Sequence, residues 1–188
     1  MSPHRVLLRA LVVLVLAPLA PSAVTAQAAE TPEHVAERYV RALKAQQWDS
    51  MAYLMHPLAL RQLRELLTPL FESPKLGAAR AELMGDSSLS DVRALSDTAV
   101  FSLFMSHLMR SQAQVMEFMR TARVAFLGHV AEGPDTVHVV YRMTIEDTAF
   151  AVSKMDIISL QRLGDSWRAL LTADLRPLAA MLRREASL

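Results

Sequence analysis

The chain has 188 residues, no cysteine, and 20 basic side chains against 19 acidic ones. That composition excludes disulfides, thiol chemistry and a lipid-modified cysteine, and it leaves no basic surplus or basic run for a nucleic-acid partner.

Residues 1–28 follow the order of a secretory signal peptide: a basic start holding Arg5 and Arg9, an apolar run over 10–20, and a tail of small residues. The run is short and carries Pro18, so it does not read as a membrane span, which takes about 20 apolar residues. Cleavage is expected after Ala26 or Ala28. Arg5 and Arg9 leave with the signal, so 18 basic residues then face 19 acidic ones. The remaining residues, 29–188, are enough for one domain with an adequate core. With no second apolar anchor and no lipidation cysteine, that domain is expected to be soluble in a periplasm or outside the cell, with no membrane anchor.

The first helix is predicted from Thr31, a capping residue followed by Pro32 at the first helical position and Glu33 in the first turn, and it ends near Ala45. Gln46 to Asp49 connect to a second helix capped by Asp49 or Ser50. Pro57 and Pro69 are expected to segment the next stretch of chain, with Leu60, Leu63, Leu66, Leu67 and Leu70 forming a stripe that must be buried. Residues 72–90 hold two of the five glycines and read as a mobile connection with one helical turn. Ser96 and Asp97 open a stronger helix through Ser111, and a shorter helical piece over 115–119 comes after it.

At Thr121 the period changes from helical to alternating. Strands are predicted over 121–131, 136–145, 150–162 and 167–172, joined by hairpin-length turns at 132–135, 146–149 and 163–166. A closing helix spans 174–184. Helices followed by a meander specify an α+β domain, with N-terminal helices packed on a curved antiparallel four-stranded sheet.

Two stretches carry a family resemblance. AERYVRALKAQQWDSMAYLMHP has two helices joined at Trp-Asp and a His-Pro at its far end, and VSKMDIISLQRLGDSWRALL has a Gly-Asp turn leading into a Trp-initiated strand. Together they resemble nuclear transport factor 2-like domains, the superfamily that includes ketosteroid isomerase. The resemblance implies a cone: a strongly bent sheet around the N-terminal helices, enclosing a mostly apolar pocket, here lined by Tyr39, Met55, Phe126, Tyr141 and Trp167. Such a family holds isomerases, dehydratases and hydrolases beside non-catalytic binding domains, so fold alone does not give function. A helical insert over 72–120 departs from the compact pattern and is expected to cap, fill or replace the pocket.

Hairpin length gives a register. Pairing Ala131 with Thr136 sets Phe126 opposite Tyr141 and Gly128 opposite Val139 on the concave face, and His129 opposite His138 on the other face. Two imidazoles are too few for a metal site, which takes a third or fourth ligand, so a solvated polar face is expected. Pairing Ile145 with Phe150 sets Lys154 opposite Tyr141 and Asp156 opposite Val139. Asp156 is then the candidate general base, with a pKa raised by desolvation, and Tyr141 the hydrogen-bond donor. A one-residue slip instead turns Met155 and Ile157 inward and leaves Lys154 and Asp156 as a surface pair.

Eleven methionines suggest thioether copper binding, but the spacing of Met51 and Met55 and of Met105 and Met109 is that of helix faces packed in a core. His56, before Pro57, is expected to cap the carbonyls of the preceding helix or line the mouth of the cone. No phosphate loop, nucleophile elbow or zinc-protease motif is present.

The sequence reads as a non-catalytic exported domain that binds a small apolar molecule or a protein partner, a homodimer among the options, and needs no cofactor. The alternative is a cofactor-independent isomerase, dehydratase or hydrolase. N-terminal sequencing of the protein recovered from outside the inner membrane is expected to start at Gln27 or Ala29. Recovery of a chain still beginning at Met1 contradicts the signal.

Overall fold

The computed structural model describes residues 30–85, 88–146, 151–171 and 175–187. The signal segment with both cleavage positions lies outside them, as do Phe150 and Asp174. Helix α1 spans Pro32–Lys44, α2 Trp48–Leu54, α3 Pro57–Glu72, α4 Gly77–Met84, α5 Leu89–Ala94, α6 Asp97–Arg110, α7 Ala113–Thr121 and α8 Arg176–Ser187. Strands β1 (Arg123–Glu132), β2 (Thr136–Glu146), β3 (Ala151–Leu163) and β4 (Ser166–Ala169) form one antiparallel sheet in sequence order. The predicted α+β class and curved meander stand.

Local chemistry sets most boundaries. Thr31 accepts the His34 amide at 3.3 Å and Ser96 the Ala99 amide at 3.2 Å, so both predicted caps form. Helix α2 starts earlier than expected, at Trp48, with no side-chain cap at Gln47. Pro57 opens α3, whereas Pro69 lies inside it rather than ending it. An interior proline costs about 3 kcal/mol. Leu67, Leu70 and Phe71 around it are buried, and each such side chain returns about 1.5 to 3 kcal/mol. Burial therefore outweighs the break.

The expected mobile connection over 72–90 is largely helical. A 3-10 turn over Pro74–Leu76 runs into α4, and Ser88 with Asp91 forms a capping box on α5. Guanidinium groups dock these pieces. Arg80 donates to the Leu70 carbonyl at 3.2 Å and Arg93 to the Phe71 carbonyl at 2.8 Å, at the C-terminal end of α3 where carbonyls lack helical partners. Arg64 of α3 bonds Asp97 and the Leu95 carbonyl at the α5–α6 junction. Helix α6 packs on α2, α3 and α4, while α7 reaches the sheet at β2.

The inner face of the sheet carries Val137, Val139, Tyr141, Ile158, Leu160, Trp167 and Ala169, all buried with Val35, Ala36, Tyr39 and Val40 of α1. Met51, Met55 and Met105 are buried and Met109 packs half-buried against the same core, as the helix-face spacing implies; Met84 and Met116 are buried as well.

The first hairpin departs from the predicted register. Phe126 pairs with Tyr141 and Val124 with Met143 as expected, but Gly128 pairs with Val140, across a bulge between Phe126 and Gly128. The extra residue turns every later side chain of β1 over. Gly128, at φ 124°, takes a conformation that L side chains rarely adopt. His129 and His138 are therefore not opposite each other. His129 faces the helices and bonds Glu33 of α1, whose carboxyl that bond holds below its ordinary range. His138 pairs with Val130 on the outer face.

In the second hairpin Ile145 pairs with Val152, so the turn begins one residue later than predicted. Moving one residue on each strand preserves the faces. Tyr141 comes opposite Asp156 and Met143 opposite Lys154. The one-residue slip does not occur: Met155 and Ile157 point outward and are exposed. The third hairpin pairs Arg162 with Trp167, around Gly164 at φ 60°.

Gly85 ends α4 at φ 70°, ψ −170°, a region essentially reserved for glycine. A Cβ there would lie 2.6 Å from the His107 ring of α6. Gly85→Ala is expected to cost at least about 2 kcal/mol in urea unfolding. Gly133→Ala, also at φ 70° but with open space around it, is expected to cost about 1 kcal/mol. Equal losses would show that the His107 contact is immaterial.

Candidate functional site

The residues expected to line a cone pocket converge on the inner sheet face as parts of the packed core, and the clefts found among the described residues do not include them. Tyr39, Met55, Tyr141 and Trp167 are buried members of one core cluster, and Phe126 packs against it. The Phe126 and Tyr141 rings lie 6.0 Å apart and tilted at 38°, an ordinary aromatic packing geometry. Trp167 is closed over by the Arg162 guanidinium, 4.4 Å from its ring centre. Helix α1 occupies the hollow of the sheet.

Asp156 shares the inner face with Tyr141, toward the open end of β3. Its side chain is 42% exposed. It accepts from Lys154 Nζ at 3.1 Å and from the Ile157 amide at 2.9 Å. Burial, with the Asp156 charge adding to it, pushes the Tyr141 phenol up to about 12. Burial drives Tyr39 up further, with Tyr141 contributing. Both phenols stay protonated at neutral pH, so Tyr141 is a donor there. The carboxylate opposite it is solvated and ion-paired rather than enclosed.

His138 takes part in a second cluster. Its Nδ1 lies 2.9 Å from Ser159 Oγ and its Nε2 2.7 Å from Glu132 Oε2. The order Ser, His, acid is that of a nucleophilic triad. Here it runs across three strands on the outer face of the sheet, with Glu132 on β1, His138 on β2 and Ser159 on β3, outside the clefts found among the described residues, so nothing there frames a reacting carbonyl.

The open space lies on the helical side. A cleft of ≈ 720 Å³ runs between the α1–α2 turn and the insert, within the range of small-molecule sites, about 300 to 1,000 Å³. One wall is Gln46, Gln47, Trp48, Asp49 and Ser50; the other is Asp91 and Leu95, then Ala99, Ser102, Leu103 and Ser106 of α6. Gln46 holds the turn at φ 55°, the one described non-glycine residue with positive φ. Two smaller clefts adjoin it. One, of ≈ 510 Å³, shares Gln47, Asp49 and Ser50, and the other, of ≈ 270 Å³, shares Asp49 and Ala99. Sequence reasoning placed Gln46 to Asp49 in a plain connection. The wall opposite comes from residues more than 40 positions later, so only the positive φ forced on Gln46 is local, and no residue type announces it.

His56 does not line a cone mouth. It caps α3, accepting the Leu58 amide on Nδ1 at 3.1 Å, and its own amide donates to the Ala169 carbonyl of β4 at 2.8 Å. Met55 and Ala169 form a parallel bridge beside it.

No family profile and no curated protein matches the sequence. Among solved structures, it is similar to the crystal structure of an NTF-2 like protein of unknown function from Shewanella oneidensis MR-1. The alignment covers 74% of this chain and 91% of that one, at 7% identity and a TM-score of 0.36. A likeness at that level carries no functional inference. Among the described residues no helix is long and apolar enough to cross a membrane.

Burial, with the positive charge of Arg168 second, lowers the His56 pKa below its ordinary 6.5. The unfolded chain therefore binds this proton more readily than the folded one. The contribution to stability is whole above about pH 7 and is lost as pH falls through the lowered folded value. His56→Asn keeps a capping acceptor without titrating. Compared by urea unfolding, the parent protein is expected to lose more stability than the variant between about pH 7 and 5. Parallel curves would remove His56 from the acid response.

Proposed function

We propose that the chain is an exported, non-catalytic binding domain of nuclear transport factor 2-like type, whose small-molecule site is the seam between α2 and the insert. The observation that supports this most is the exchange of space between the two candidate sites. The inner face of the sheet is filled by α1, while the insert meets α2 across a cleft large enough for a ligand. The cleft is mixed in character, with Trp48, Leu95, Ala99 and Leu103 beside hydroxyls, carboxamides and two carboxylates. Apolar walls with a few placed polar groups are what ligand sites present. The catalytic reading, Asp156 as base with Tyr141 as donor, ranks below it, because the carboxylate is solvated and held by Lys154.

A protein partner, a second copy included, is favoured by a different observation. Val130, Met155 and Ile157 are exposed on the outer face of the sheet, a row of apolar side chains that a partner surface would cover.

The small-ligand reading is tested by NMR titration of the protein with a neutral apolar probe, indole. Saturable shifts are expected at residues 46–50 and 99–106, abolished by Ala99→Trp, which fills the cleft, and retained in Tyr141→Phe. Shifts centred on Tyr39 and Tyr141 would return the site to the cone.

A further inference from the structure

Resting on the small-ligand reading, we infer that the cleft between α2 and the insert is selective for organic amines: a protonated amino group carried on a compact apolar body. The charge pattern points there first. Among the described residues, Asp49 and Asp91 are the ionisable side chains on the walls of this cleft, and no basic side chain lines it. An anion entering it would meet two carboxylates with no counter-charge.

The two acids are not equivalent. Asp91 is committed to the α5 capping box, accepting from the Ser88 amide at 3.3 Å and the Ser88 hydroxyl at 2.6 Å. Asp49 borders all three adjoining clefts, and none of the hydrogen bonds or ion pairs among the described residues occupies its carboxylate. It is the free anion of the site. Two arginines open onto the neighbouring cleft rather than this one. Arg38 is held by Glu30 at 2.7 Å, and Arg41 stands at that cleft's wall.

A second feature, independent of the acids, is Ser102. Its Oγ is buried at the cleft wall on α6 and lacks a hydrogen-bond partner. Ser106, one turn on, satisfies its own hydroxyl on the Leu103 carbonyl at 2.8 Å. Buried hydroxyls are nearly always paired, and leaving one unpaired is unfavourable. An ammonium has three donors and no acceptor. Rotated toward the cleft, the Ser102 oxygen can accept one of them while the Asp49 carboxylate takes another. Leu95, Leu103 and the half-buried Trp48 then face the apolar body.

The test uses three probes that share a phenyl body and differ in the head group: 2-phenylethylamine, 2-phenylethanol and phenylacetate. Each is titrated at pH 7 into the parent protein, Asp49→Asn and Ser102→Ala, with folding checked by circular dichroism. NMR shifts locate binding and calorimetry gives Kd. The amine is expected to bind at residues 46–50 and 99–106 at least about tenfold more tightly than the alcohol, a difference of about 1.4 kcal/mol. The carboxylate is expected not to saturate. Asp49→Asn should bring the amine down to the level of the alcohol, and Ser102→Ala should weaken the amine while leaving the protein folded. Equal binding of amine and alcohol, or tighter binding of phenylacetate, overturns amine selectivity while leaving a small-ligand cleft standing. If none of the three probes shifts these residues, both readings fall.

Discussion

The fold depends on how α1 fits the hollow of the sheet. Val35, Ala36, Tyr39 and Val40 are buried on one side of the helix, in one cluster with Val137, Val139 and Tyr141 of β2 and Leu160 of β3. Dispersion contacts and apolar burial reward such close fitting, and a cavity there would forfeit both. The helix is pinned at both ends. Glu33 bonds His129 near its start, and Lys44 reaches the Ala122 carbonyl at 2.7 Å at its end. With the hollow filled, the residues that a cone-type pocket would use become core.

The insert borders the open cleft against α2, and arginine holds the insert in place. Arg80 and Arg93 reach from α4 and α5 to the last carbonyls of α3, and Arg64 reaches from α3 to the start of α6. The planar guanidinium fork suits such docking, and Arg80 and Arg93 satisfy carbonyls that the helix end leaves open. The cleft wall opposite α2 is thus carried by a scaffold tied to α3.

Much of the fold was legible because its signals are local. Thr31 and Ser96 announce helix starts through side chains that accept amides three residues on, and the alternation after Thr121 marks the sheet. Register was legible only in part. The apolar alternation of β2 and β3 fixed which faces meet, so the error of one residue per strand left Asp156 on the correct side. The bulge in β1 was not legible in this way. Gly128 marks a bend, but whether the bend also absorbs an extra residue depends on what α1 offers to His129 and on the outer face accepting Val130. The first part of the insert, residues 72–90, escaped for a similar reason. Serines, glycines and an isolated Pro-Lys read as a loop until Arg80 and Arg93 find carbonyls supplied by a helix earlier in the chain. The candidate cleft has no local signature at all, since its walls meet only after docking.

The His56 connection also has a bearing on how the molecule behaves in a crowd. Strand β4 is only four residues long and ends the sheet on one side, and an open strand edge invites pairing with any other extended chain. The Met55 bridge and the His56 amide cover that edge at Ala169 with the molecule's own backbone. The short turn between α2 and α3 thereby acts as a selvedge, finishing the border of the sheet where it would otherwise fray into intermolecular contact.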